Sequence, residues 1–89
     1  MSSCEFLFRL QLPAETGDEM VRELADRVLR HFEVDEQASA ELAGLIHAAS
    51  ARARAAGSRD VRFRVRGGAL EIVVADAAGR EWRTTRPLP

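Results

Sequence analysis

The 89-residue chain has no lysine, no asparagine and no tyrosine, and only one cysteine and one tryptophan. Each absence closes off chemistry. Without lysine there is no Schiff-base nucleophile and no phosphate-loop amine. Without asparagine and tyrosine, mechanisms that need an amide ligand or a phenol fall away. A single cysteine, Cys4, excludes an internal disulfide and argues against a structural zinc site. A reducing, cytoplasmic setting is therefore expected, with Cys4 as a small buried apolar residue. No apolar run nears the roughly 20 residues of a membrane span. Residues Met1 to Glu5 carry no basic region ahead of an apolar stretch, so no secretory signal is expected.

The residues that are present describe an ordinary globular domain. Apolar residues make up 46% and charged residues 30% of the chain, which argues against disorder. Residues 1–89 are expected to form one domain, because so short a chain has no room for two cores. It folds alone only marginally, and a homodimer would help it. All 13 basic residues are arginine, as codon usage in a GC-rich bacterial genome favours. Charge is uneven along the chain. Residues 1–50 carry 4 arginines against 10 acidic residues, and residues 51–89 carry 9 against 4. Such polarity suits internal neutralisation, head-to-tail self-association, or an acidic and a basic face for different partners.

Hydrophobic periodicity switches between the spacing of strands and that of helices. Cys4 to Leu12 alternates, with Phe6, Phe8, Leu10 and Leu12 on one side and Glu5, Arg9 and Gln11 on the other; Pro13 ends it. Thr16 to Glu19 has capping-box spacing, with Asp18 as a rival cap. A helix over about 17–32 then presents Met20, Val21, Leu24, Val28 and Phe32, with Glu23–Arg27 and Asp26–Arg30 at i,i+4 on its other side. Asp35 caps a second helix over about 36–56. Its expected seam is Leu42, Leu45, Ile46, Ala49, Ala53 and Ala56, and Gly57 stops it. The rest is β. Val61, Phe63 and Val65 alternate with Arg62, Arg64 and Arg66; Gly67-Gly68 turns the chain; Leu70, Ile72 and Val74 answer. A turn over 76–79 leads into a last strand over 80–85 with Trp82. The order β-α-α-β-β-β predicts an α+β two-layer sandwich, with two helices on one face of a four-stranded sheet.

The face opposite the helices is where function is expected. Arg9, Arg62, Arg64, Arg66 and Val73, with Glu71, fall on it, and the five named first are the candidate partner-binding residues. An acidic protein partner fits such a surface. Nucleic acid is an alternative, but sheet platforms for single-stranded RNA stack bases on outward aromatics, and Phe63 points inward here. His31 and His47 stand apart from any Cys, His or Asp at ligand spacing, and Ser50 has no acidic residue to orient a base beside it. No catalytic residue, metal ligand or cofactor is assigned, and the chain reads as a non-enzyme.

Glu41 to Trp82 resembles the GHKL ATPase domain, in its anti-sigma-factor serine-kinase branch. The resemblance is carried by Leu12-Pro13-Ala14 and by the helix stretch Glu41-Leu42-Ala43-Gly44-Leu45-Ile46-His47-Ala48. Gly57 to Val65, then Leu70 to Val74, then Asp76-x-x-Gly79 continue it. His47 and Ala51 stand where the family's water-activating Glu and magnesium-binding Asn would be. Asp76, Ala78 and Arg80 fall on its adenine motif, so only the Asp matches. The resemblance implies a degenerate, truncated relative without nucleotide chemistry that keeps the family's habit of binding regulatory proteins, often as dimers, in bacterial signalling. Residual nucleotide binding near Asp76 is the alternative it leaves open.

Overall fold

The structure, a computed structural model, describes residues 6–88, with side chains from Phe8 onward. The order is β1 (Phe6–Leu12), α1 (Asp18–His31), α2 (Glu36–Arg54), β2 (Arg59–Arg66), β3 (Ala69–Asp76) and β4 (Glu81–Pro87). The two helices pack on one face of an antiparallel sheet with strand order β1-β2-β3-β4. It is the expected α+β two-layer sandwich. Cys4 lies outside the described residues.

Local chemistry accounts for the element ends. Gly67 and Gly68 have φ of 58° and 77°, the left-handed pair a two-residue hairpin needs between twisted strands. Asp35 caps α2 by accepting from the Ala38 N–H at 3.3 Å. Gly57, at φ 116°, takes the chain out of the helix. The expected capping box at Thr16 does not form. Gly17 occupies the N-cap position in extended backbone, without a side-chain cap. Asp18 sits in the first helical turn, where the dipole favours it, and its carboxylate faces Arg54 and Arg59.

The core is Val21, Ala25 and Leu29 of α1, Leu42, Ala43, Ile46, Ala49 and Ala53 of α2, and Leu12, Val61, Phe63, Leu70, Ile72 and Val74 of the sheet. The α2 seam keeps Leu42, Ile46, Ala49 and Ala53 and the α1 stripe keeps Val21, with Val28 and Phe32 at its border, but both shift at their margins. Met20 is 56% exposed and Leu45 42% exposed, and Ala56 is exposed as well. Ala25 and Ala43 take core positions instead. A step of one residue turns a helix face by about 100°, and small residues let the helices approach each other closely. Asp26 and Arg30 close their ion pair at 3.0 Å, whereas Glu23 and Arg27 do not come within 4 Å.

Candidate docking surfaces of the sheet

Register brings the five candidate residues onto one face. Arg9 pairs with Arg62, Arg62 with Val73 and Val73 with Arg83, so four strands contribute one transverse row. The next row includes Arg64, Glu71 and Thr85, and Arg66 lies beyond it opposite Ala69. Among the described residues, no helix covers this face.

The arginines are not bare. Asp60 lies 3.0 Å from Arg9 and 3.6 Å from Arg62. Glu81 receives Arg62 at 2.9 Å and Arg83 at 2.8 Å. Glu71 stands 3.4 Å from Arg83 and 3.8 Å from Arg64. Seven side chains thus alternate in sign from Arg9 through Asp60, Arg62, Glu81, Arg83 and Glu71 to Arg64. Each carboxylate bridges two guanidiniums. Hydrogen bonds from Arg83 and then Arg62 hold the Glu81 carboxyl below its ordinary value. The guanidinium stems roof over Val73, which is only 5% exposed. Val73 therefore packs beneath the lattice instead of presenting itself to a partner. Arg66 has no carboxylate within 4 Å among the described residues. A hollow of about 220 Å³ opens between Arg9, Arg62, Arg64, Glu71, Val73 and Arg83. Arg62 Nε, facing Asp60 at 3.6 Å, is buried there without a hydrogen bond.

Three members were not singled out from sequence: Asp60, Glu81 and Arg83. The signal was present, since Trp82 facing inward puts residues 81 and 83 on the outer face.

The inner face tells a different story at its margin. Leu70, Ile72 and Val74 of β3 are fully covered by the helical layer, yet their β4 neighbours Arg86, Thr84 and Trp82 are exposed or half-buried. α2 packs on β2 and β3, and β4 extends past it. Two hollows flank the resulting strip. One, of about 270 Å³, is lined by Ala49, Arg52, Val74 and Trp82 among others; the second, of about 560 Å³, by Val34, Ala38, Leu42, Arg86 and Leu88 among others.

Arg59, on the core side of β2, is 3% exposed. Its Nε donates to the Ser50 hydroxyl at 2.7 Å, Nη1 to the Pro13 carbonyl at 3.0 Å and Nη2 to the Thr16 carbonyl at 2.8 Å. Burial lowers its pKa and the Asp18 carboxylate pushes back. Ser50 is thereby committed to a structural bond. Arg54 adds a hydrogen bond to the Ala14 carbonyl at 2.9 Å. Together the two arginines clamp the segment between β1 and α1.

Asp76 is likewise engaged by its own turn. It accepts from the Ala78 and Arg80 N–H groups at 2.9 Å each and from Arg80 Nε at 3.1 Å. These bonds, that of the Arg80 N–H first, hold its carboxyl below the ordinary value. An adenine amine would have to compete with all three. His47 is half-buried on α2, and the His31 ring meets Phe32 edge-on at 5.2 Å. Among the described residues, no three His, Cys, Asp or Glu side chains gather in a way that could hold a metal ion. Among them too, no helix is long and apolar enough to cross a membrane. No family model and no curated protein matches the chain.

Proposed function

We propose that the chain is a non-catalytic protein-interaction domain, a regulatory or adaptor module of bacterial cytoplasmic signalling, whose contacts are made by its sheet. The observation that carries this reading is the uncovered outer face, on which five arginines (Arg9, Arg62, Arg64, Arg66 and Arg83) meet three carboxylates (Asp60, Glu71 and Glu81). The excess of two positive charges suits a partner with an acidic surface, and Arg66 and the half-free Arg64 are the charges that partner meets first. Charges already held in a lattice lose little freedom on docking, so such a face favours specificity and rapid encounter. Asp76 in its own turn and Ser50 under Arg59 both have structural work, which supports a binding role over a catalytic one.

The test is reconstitution. A partner captured with the wild-type domain is purified and titrated against wild type and against the double variant Arg64→Glu, Arg66→Glu at two salt concentrations. Affinity is expected to fall at least about tenfold in the variant and to weaken with salt. Equal affinity for both proteins removes the outer face from the reading. A melting temperature raised by ATP with magnesium points instead to nucleotide binding, and a salt-sensitive gel shift to nucleic acid.

A further inference from the structure

We propose that the open strip between α2 and β4 is a second docking site, independent of the outer face, and that its occupant is a partner's amphipathic helix lying antiparallel to α2 with carboxylates in its first turn.

Three observations lead there. The first is coverage. In a two-layer sandwich two helices span about four strands, because helices pack 8–10 Å apart and strands about 4.8 Å apart. Here α2 rests on β2 and β3, so the inner side of β4 lacks its share of the second layer. The uncovered width is that of one strand, about 4.8 Å, so a helix seated there also reaches past the edge of β4. The strip is also long enough. Ala38 to Ala53, which line its two ends, are 15 helical steps apart, or about 22 Å at 1.5 Å each.

The second is spacing. On the side of α2 that borders the strip stand Ala38, Leu45 and Arg52, at i, i+7 and i+14, with Leu42 and Ala49 buried in the core behind them. That is the seven-residue seam by which one helix receives the knobs of another. Leu45, left 42% exposed by the fold, sits in its middle. Across from it Trp82 and Leu88 supply half-buried apolar surface. The free edge of β4 is a poorer dock, since it carries charged residues and ends in Pro87, which has no N–H to donate.

The third is charge. Among the described residues, Arg52 at one end has no carboxylate within 4 Å, while the neighbouring Arg80 is held by Asp76 at 3.1 Å. Glu33 borders the far end. A helix antiparallel to α2 brings its N-terminal turn, where acidic residues are favoured, to Arg52. Its C-terminal turn, where basic residues are favoured, comes to Glu33. Antiparallel macrodipoles act in the same direction.

Trp82 is the chain's only tryptophan, so its emission reports directly on the strip. The probe is a synthetic helical peptide of about 15 residues, the length that spans the strip. It carries leucines at heptad spacing, glutamates in the first turn and arginines in the last. A second peptide exchanges the glutamates and arginines. The first peptide is expected to give a saturable blue shift of Trp82, and the second to bind at least about tenfold more weakly. The variant Arg52→Glu is expected to lose about tenfold for the first peptide, Leu45→Asp to lose a comparable factor, and Arg22→Glu, on the far helix, to lose nothing. No shift with the first peptide, or equal binding of the two peptides, overturns the proposal. So does a Trp82 emission that depends on protein concentration without peptide, which assigns the strip to a second copy. None of these outcomes touches the outer-face titration, so the two surfaces stand or fall separately.

Discussion

The two faces of β2 use the same residue type to opposite ends. On the inner side, Arg59 is enclosed and bonded to three acceptors on the β1–α1 segment and α2. On the outer side, Arg62 and Arg64 share carboxylates with arginines from neighbouring strands, half in water. Enclosure makes every donor of Arg59 obligatory, because a buried acceptor left alone costs its full desolvation. Exposure makes each bond of Arg64 exchangeable with water. The same guanidinium is a fastener on one face and a display on the other.

Substitutions along β2 sharpen that contrast. Phe63→Ala, on the enclosed side, is expected to cost about 3–5 kcal/mol, measured by urea denaturation. Arg59→Leu keeps much of the volume but strips the donors from Ser50, Pro13 and Thr16. A loss of about 2–4 kcal/mol is expected, together with faster amide exchange in residues 13–18. A stability unchanged by Arg59→Leu breaks the comparison, because the buried arginine then fastens nothing. Arg64→Glu, by contrast, is expected to stay within about 1 kcal/mol of wild type in the same assay. Its unfolding would mean that the outer register is wrong.

Acid gives a subtler reading. The folded-state pKa values of Asp76 and Glu81 both lie below their ordinary values of 3.8 and 4.5. Their contribution is therefore complete above those ordinary values and is lost as pH falls through the lower folded ones. Stability is expected to decline below about pH 4.5, and urea midpoints of Asp76→Asn and Glu81→Gln should show a shallower decline. An acid limb that is the same in all three proteins would show that these carboxylates bear no net load.

Much of this was legible in the sequence. Alternation in residues 4–12, 61–66 and 70–74 predicts which side chains face outward, and the register does place Arg9, Arg62, Arg64, Arg66 and Val73 on one face. What alternation does not carry is who neutralises whom. The lattice depends on register across four strands, which places Asp60 of β2 beside Arg9 of the neighbouring β1, 51 positions away in the chain. The helix stripes differ at Met20 and Leu45 because side-chain size favours those residues, whereas Ala25 and Ala43 hold the core positions where the helices pack together. Arg59 shares its parity with Val61 and Phe63, yet its charge hid it. Two of its acceptors are backbone carbonyls, which no pattern of side chains reveals.

The clamp at Arg59 also bears on how the chain assembles. β2, β3 and β4 follow one another through short turns, so their pairing needs little loop closure. β1 must return across both helices, and the Pro13 carbonyl that Arg59 holds is 46 positions away in the chain. Closing so long a loop is the slow event in such a topology. The three-stranded meander is thus expected to form early and β1 to arrive last, with the guanidinium engaging as it docks. A latch thrown at the final step makes the first strand the natural point at which the domain begins to open.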